Sequence, residues 1–149
     1  MIALLQRVQQ ASVFVDQRRI AEINQGLLVF VAIQKHDNED VAMRLSERVI
    51  GYRIFADEED KMNKSVTDIH GGVLLVPQFT LAADTNKGMR PSFSRTATPG
   101  QGAKLFDYFL NITKSKYATV QSGEFGADMQ VHLINDGPAT FWLQLQSQI

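Results

Sequence analysis

The 149-residue sequence has no cysteine and no long apolar run. The first absence excludes disulfides and thiolate chemistry, and it suits a reducing compartment. No segment approaches the ~20 apolar residues that span a bilayer, and no basic leader precedes the apolar stretch near Met1. We therefore expect a soluble, cytoplasmic protein without membrane attachment.

Conventional catalytic and metal-binding patterns are also scarce. The three histidines, His36, His70 and His132, are isolated from one another and lack the spacing of metal ligands. No nucleophile-elbow sequence is present, and Thr80 has no obvious base near it in the sequence. We expect neither a metal nor a cofactor, and any hydrolysis has to rely on orientation and on hydrogen-bond donors.

The formal net charge of −1 argues against a protein that coats nucleic acid, DNA included, through bulk electrostatics. The charge is unevenly placed, however, because residues 85–106 carry Lys87, Arg90, Arg95 and Lys104 but no acidic residue. This stretch is either an ordinary solvated loop or a surface that makes a few phosphate contacts with one RNA end.

The pattern of apolar residues predicts one domain over residues 1–149, an α/β protein with a mainly antiparallel, barrel-like sheet and two helices. The first helix begins after Asn38, and the second begins at Thr98-Pro99 and ends near Lys114. Early strands are predicted at residues 2–8, 12–16, 19–23 and 27–33. Predicted buried helix residues are Val41, Leu45, Val49, Tyr52, Leu105, Phe106, Phe109 and Leu110. The acidic residues 57–60 are predicted to form a solvated turn.

The apolar run Val73–Leu81 predicts a buried strand that ends in polar residues. Pro77 removes a ladder N–H, so regular pairing is expected to stop near it. Gln78 and Thr80 then share one face of the strand end, together with free backbone N–H groups. Such a terminus is either a simple polar turn or a place where an oxyanion is bound.

Residues 129–133 and 140–145 predict two terminal strands joined as a hairpin by Asn135-Asp136-Gly137-Pro138. Pro138 fixes one φ angle and removes a donor, so the loop is stiff and its carbonyls are bare. The alternative is a turn that merely contains proline.

Two segments, Pro77-Gln78-Phe79-Thr80-Leu81 and residues 135–140, resemble the signature segments of the D-aminoacyl-tRNA deacylase family. The resemblance extends over essentially the whole chain, in matching order and spacing. Its other parts are Gln6-Arg7-Val8, Tyr52-Arg53-Ile54-Phe55, Asp60-Lys61-Met62-Asn63, Lys87-Gly88-Met89-Arg90-Pro91-Ser92-Phe93 and Ala127-Asp128-Met129-Gln130-Val131.

This resemblance implies a homodimeric enzyme of the same fold that hydrolyses D-aminoacyl-tRNA at the acceptor end and releases the free D-amino acid. It implies catalytic roles for Gln78, Phe79 and Thr80, with the tRNA 2′-hydroxyl assisting cleavage. In the family, the Gly-Pro pair is cis and reaches into the partner's site, where its carbonyls reject L side chains and let glycine pass. Arg7 would brace Gly137 and Pro138. Met129 belongs to the same substrate-binding set, and Lys87, Arg90 and Arg95 would bind tRNA.

The apolar side chains of the terminal strands offer a surface for the two-fold interface of such a dimer. They are Met129, Val131, Leu133, Phe141, Leu143 and Leu145.

One position departs from the family pattern, since Pro77 replaces the usual serine. A related group that removes L-alanine from mischarged tRNA carries proline there, but it typically has alanine where this chain has Phe79. Phe79 and Arg7 therefore favour the D-specific alternative. Two other hypotheses stay open, a non-catalytic RNA-binding module and a small-molecule esterase that relies on Thr80.

Overall fold

The computed structural model describes residues 1–147. In these residues the elements are β1 (Ile2–Val15), β2 (Arg18–Ile23), β3 (Gly26–Ala32), α1 (Glu39–Gly51), β4 (Phe55–Ala56), β5 (Met62–Lys64), β6 (Gly72–Pro77), a 3-10 helix (Phe79–Ala82), α2 (Pro99–Lys116), β7 (Val120–Ser122) and β8 (Gln130–Gln144). The main sheet has the order β2-β1-β3-β6-β7, with β8 paired to β1. The β3–β6 and β6–β7 pairs are parallel and the other pairs are antiparallel. This mixed, mostly antiparallel, barrel-like sheet with two helices confirms the predicted fold class.

Strand β1 is one continuous strand, although the sequence predicts two strands separated near residue 10. Gln9 and Gln10 are exposed and interrupt the apolar pattern. The backbone nevertheless stays paired with β8 through two register shifts between Gln6 and Gln10. The polar residues therefore mark an irregularity of the ladder, where an extra residue is accommodated without a turn.

The predicted terminal hairpin is wrong, because both of its strands belong to the single strand β8. Thr140 faces Gln6 and Asn135 faces Val8, so the two halves of β8 pair with consecutive halves of β1. The segment Asp136-Gly137-Pro138 lies between them and interrupts the ladder without reversing the chain. Pro138 fits such an interruption because it has no N–H to offer a neighbouring strand.

Both helices begin where the sequence predicts. The Asn38 side chain accepts a hydrogen bond from the Val41 N–H at 2.9 Å, and the Thr98 side chain accepts one from the Gln101 N–H at 3.3 Å. The predicted helix residues are buried, except for Tyr52 and Leu110, which are half-buried. The helices cover one face of the sheet, and their apolar side chains join those of β1, β3 and β6 in the larger core.

A second core lies where the far halves of β1 and β8 curl over the other face of the sheet. It contains Val8, Leu28 and Val76, and Met129, Val131 and Leu133 pack against it. Leu143 lies in the larger core, with Phe141 and Leu145 packed on it. Five of these six side chains remain partly exposed, so the predicted two-fold interface through them stays a prediction.

The outward side of β8 exposes other apolar residues. Ile134 is 45% exposed and Trp142 is 50% exposed. Within the described chain, neither helix is long and apolar enough to cross a membrane.

Candidate active site at the end of strand β6

Strand β6 lies between two parallel neighbours and ends at Pro77, as the chemistry of proline predicts. The N–H of Gln78 still donates to the Val31 carbonyl at 2.8 Å, and the chain then turns into the 3-10 helix. The expectation that Gln78 and Thr80 share one face of an extended strand end is wrong, because residues 79–82 form the 3-10 helix. A tight turn brings these side chains together instead.

The turn presents backbone donors to solvent. The Leu81 N–H is the first to be satisfied within the turn, by the Gln78 carbonyl at 3.2 Å. The N–H groups of Phe79 and Thr80 precede it, and the first donors of a helix have no acceptor inside that helix. Both residues are exposed, so these two donors can bind a developing negative charge.

The side chain of Thr80 is held by an amide. Gln78 Nε2 donates to Thr80 Oγ1 at 2.5 Å. An amide cannot accept a proton from the hydroxyl, so this contact orients Thr80 without activating it as a nucleophile.

Met129 lies behind the strand end, on the loop that leads into β8. Gly123 donates its N–H to the Leu75 carbonyl at 2.8 Å, and this places its Cα between Pro77 and Met129. A Cβ at Gly123 would lie 2.8 Å from Met129 Sδ and 3.5 Å from Pro77 Cδ. The sequence analysis did not identify Gly123. Its role is to allow this close packing of Pro77 and Met129, and no local sequence pattern indicates such a contact.

An apolar cavity of about 230 Å³ opens beside Gln78 and Phe79. Its other walls come from the end of β3, residues 96–99, Gly102 and Phe125 with Gly126. The rings of Phe79 and Phe93 lie 5.3 Å apart. The site therefore combines polar donors with a mainly apolar cavity, the usual character of a small-molecule or cofactor site.

The basic residues named from the sequence flank this turn. A backbone pair between Asp84 and Ser92 closes a loop that carries Lys87 and Arg90, and both side chains are exposed. Arg95 lies just outside the loop and its guanidinium is 3.4 Å from the Asp84 carboxylate. Lys87 and Arg90 are therefore exposed on a loop whose two ends are hydrogen-bonded together. Arg95 instead forms an ion pair with Asp84.

Arg7 and Gly137 form a second group. Arg7 donates to the Asp136 carbonyl through Nε at 3.2 Å and to the Ile54 carbonyl through Nη1 at 2.8 Å. The Gly137–Pro138 bond is cis and Gly137 has φ of 118°. A Cβ at Gly137 would lie 2.5 Å from Arg7 Nη2, so the guanidinium and this glycine are in direct contact.

Asn135 fixes both sides of the interruption in β8. Its Nδ2 donates to the carbonyls of Arg7 and Ala139, each at 3.0 Å. Sequence reasoning missed this role, since the two acceptors become neighbours only through the pairing of β8 with β1.

The sheet register separates these two groups within one chain. Gln78 is level with Val31 and therefore with Ala3, whereas Gly137 lies between the partners of Gln6 and Val8. The two groups therefore differ in register, and they lie at the end of β6 and on β8, which do not pair with each other in the described part of the chain.

Carboxylates with shifted pKa values lie outside both the Phe79 turn and the Arg7–Gly137 group. The pKa of Asp57 is lowered because the Asn63 side chain and the N–H groups of Lys61 and Glu59 donate to its carboxylate. The predicted acidic turn is thus an ordered connection between β4 and β5. Across residues 1–147, no group of three histidine, aspartate or glutamate side chains is placed to hold a metal ion.

Comparison with known proteins assigns the family. Residues 4–144 match the model of the D-Tyr-tRNA(Tyr) deacylase family. The D-aminoacyl-tRNA deacylase of Pseudomonas putida is 57% identical, over 97% of this chain and 100% of that protein. A solved structure of a c-Myc DNA unwinding element binding protein is 35% identical with a TM-score of 0.94, and the match covers 99% of this chain and 100% of that one.

A second solved structure, of a probable eukaryotic D-amino acid tRNA deacylase, shares the fold. It is 18% identical with a TM-score of 0.83, over 95% of this chain and 97% of that one. The family match spans the Phe79 turn, the basic loop and the Gly137 segment. The chain is therefore a member of the D-Tyr-tRNA(Tyr) deacylase family of hydrolases.

Proposed function

We propose that this chain hydrolyses the ester bond of D-aminoacyl-tRNA and releases the free D-amino acid and tRNA. The observation that carries the proposal is the pair of N–H groups at Phe79 and Thr80, at the end of β6, in a chain that matches the deacylase family over residues 4–144. Water adds to the ester carbonyl, the bond to the ribose oxygen breaks, and that oxygen takes a proton. The two N–H groups stabilise the oxyanion that forms in between.

The mechanism needs little from acidic or basic side chains. The aminoacyl ester is already activated, and the neighbouring 2′-hydroxyl of the terminal ribose can assist its own cleavage. Gln78 orients Thr80 through their 2.5 Å hydrogen bond, and the apolar cavity beside Phe79 holds the base of the terminal nucleoside. Lys87, Arg90 and Arg95 contact the phosphates of the acceptor end.

Chirality is selected by a second copy of the chain. Gly137 and Pro138 lie on β8, which does not pair with β6 in the described part of the chain, and they do not complete the site of their own chain. In a two-fold homodimer, these residues instead enter the partner's site, where their backbone carbonyls exclude an L side chain. Glycyl-tRNA passes because glycine has no side chain to exclude. Rejection by a fixed backbone discriminates more strongly than a small difference in pocket volume.

Two contacts support the rigidity that this selection requires. Arg7 holds the Asp136 carbonyl and lies against Gly137, and Asn135 ties the segment to both adjoining strands. The exposed side chains of Ile134 and Trp142 on the outward side of β8 provide apolar surface for the dimer.

The decisive experiment compares D-tyrosyl-tRNA with L-tyrosyl-tRNA at catalytic protein concentration. We expect the D ester to be cleaved faster by on the order of 100-fold or more. Equal rates would refute the D-specific proposal. Preferential cleavage of L-alanyl-tRNA would favour the alternative that Pro77 suggests, and protection of the ester without turnover would favour a non-catalytic RNA-binding module.

A further inference from the structure

A polar cavity of about 490 Å³ lies next to the apolar cavity and is separate from the proposed reaction centre. Its walls are residues 34–37, which follow β3, Ser94 with Arg95, and Gln146 with Ser147. The cavity therefore lies at the edge of the candidate active site. It is formed by the segment that leads from β3 to α1 and by residues 94 and 95, which follow the basic loop.

The charge available in this cavity is positive. Its only acidic lining residue, Asp37, is fully engaged, because one oxygen accepts from the Met1 amino group at 2.6 Å and the other from the Gln34 N–H at 2.7 Å. Lys35 and His36 are exposed, and in residues 1–147 no carboxylate forms a salt bridge with Lys35. An anion can therefore approach Lys35 without displacing a partner.

The backbone that carries Lys35 is held on both sides. Its N–H donates to the Arg95 carbonyl at 3.1 Å, and its carbonyl accepts from Gln101 Nε2 at 3.0 Å. Lys35 and Arg95 are thus backbone neighbours, and the segments that carry their side chains are held in place in the cavity wall. Little backbone ordering is required when a ligand binds between them.

The two cavities are built from the same two segments. Ile33 and residues 96–99 line the apolar cavity, whereas Lys35 and Arg95 line the polar one. Gln34 pairs with Thr96 at the boundary between them. Two or three residues of extended chain span roughly 7–10 Å, a distance comparable to one nucleotide unit.

We propose that this polar cavity binds the phosphate groups that join the last nucleotides of the acceptor strand, with Lys35 as a phosphate ligand and His36 and Arg95 beside it. This inference rests on the proposed function, and it adds Lys35 and His36 to the substrate contacts. A terminal nucleoside in the apolar cavity places its 5′ phosphate toward the polar cavity. Lysine supplies such a contact as a point charge.

The test compares two substrates that carry the same D-tyrosyl ester. D-tyrosyl-tRNA contains the phosphates, whereas 3′-O-D-tyrosyladenosine has the ester, ribose and base but no phosphate. For Lys35→Ala we expect KM for the tRNA to rise about fivefold with kcat unchanged, and kinetics with the adenosine ester to match the parent. Lys35→Arg, which keeps the charge, should restore most of the affinity for tRNA.

Salt dependence gives an independent measurement. Loss of one phosphate contact to a single strand should make the slope of log(kcat/KM) against log[salt] shallower by about 0.7. Lys114→Ala is the matched control, because Lys114 is an exposed lysine in the last turn of α2 and lines neither cavity. It should behave as the parent with both substrates.

Each outcome separates the two proposals. Equal losses with tRNA and with the adenosine ester would assign Lys35 a structural role and overturn the phosphate site. Unchanged KM and unchanged salt slope for Lys35→Ala would overturn it as well, while leaving ester hydrolysis by the parent protein intact. If the parent cleaves neither ester, the proposed function fails and the phosphate site fails with it.

Discussion

Thr80 is a predicted catalytic residue whose side-chain hydroxyl has one hydrogen-bond partner in the described part of the chain. Its hydroxyl accepts a hydrogen bond from Gln78, and an amide cannot act as the base that a threonine nucleophile needs. We expect Thr80→Ala to keep kcat within about tenfold of the parent, because an orienting hydrogen bond contributes modestly. Replacing the terminal 2′-hydroxyl of the tRNA by hydrogen should lower kcat much more.

Single-turnover rates with D-tyrosyl-tRNA and its 2′-deoxy form measure both changes. Thr80→Ser, which keeps the hydroxyl, is the control for the altered side-chain volume. A trapped acyl ester on Thr80 would refute the mechanism that relies on the tRNA hydroxyl.

Residue-scale prediction from the sequence succeeds where the chemistry is local. Asn38 and Thr98 cap their helices and Pro77 ends its strand, because each effect depends only on adjacent residues. Gly123 and Asn135 escaped prediction. Their roles depend on contacts across the sheet, and no spacing along the chain signals them.

At the scale of elements, the interruption in β8 is fixed by one side chain. Asn135 Nδ2 donates to two backbone carbonyls, those of the half-buried Arg7 on β1 and the buried Ala139 on β8. We expect Asn135→Ala to lower the free energy of unfolding by about 1–3 kcal/mol, since both carbonyls lose a donor. Urea unfolding monitored by circular dichroism measures the change.

Asn135→Asp is the matched variant, because it keeps the shape of the side chain but replaces the donor by an acceptor. It should be at least as destabilising as Asn135→Ala. Asn24→Ala, in the exposed turn before β3, should change stability little. Parent-like unfolding of both Asn135 variants would show that the interruption is held by other contacts.

The terminal hairpin was predicted wrongly for a physical reason. Two alternating runs separated by Gly and Pro fit a hairpin and an interrupted long strand equally well. The partner decides between them, because β1 is long enough to pair with both runs in succession. Local sequence carries no information on the length of that partner.

At the scale of the whole molecule, the proposed function requires two copies of the chain. The first variant, Phe79→Pro, removes one oxyanion donor, and proline is tolerated at the first position of a helical turn. The second, Gly137→Ala, places a Cβ 2.5 Å from Arg7 Nη2 and displaces the segment. Each homodimer should lose most of its activity toward D-tyrosyl-tRNA.

A mixed dimer of these two chains should regain one working site. One chain supplies an intact turn and the other supplies an intact Gly137 segment, so the expected activity is about half that of the parent dimer. Phe79→Ala, which keeps the N–H, controls for loss of the aromatic ring. Failure of the purified mixed dimer to recover, or full activity in a strictly monomeric protein, would contradict the shared site.

The predicted barrel-like fold is confirmed. The resemblance of many short segments, in matching order, to one family is what allowed this particular fold to be predicted. The periodicity of apolar residues predicted the helices and most strands, but it could not predict which strands pair. The prediction of one domain over residues 1–149 stays a prediction, and residues 148 and 149 lie outside the described part of the chain.

The pairing of β8 with β1 joins the two ends of the chain, from Ile2 with Gln144 to Phe14 with Gln130. On the ribosome, β1 is made before β8, so one edge of the 14-residue β1 stays unpaired until β8 has emerged. An unpaired strand edge of that length can pair with the strands of other chains and cause aggregation. Contacts between residues so distant in sequence also form slowly during folding. The strand that closes this edge also carries Gly137 and Pro138. A nascent chain therefore completes the segment that we propose rejects L substrates in the same step that covers this open edge.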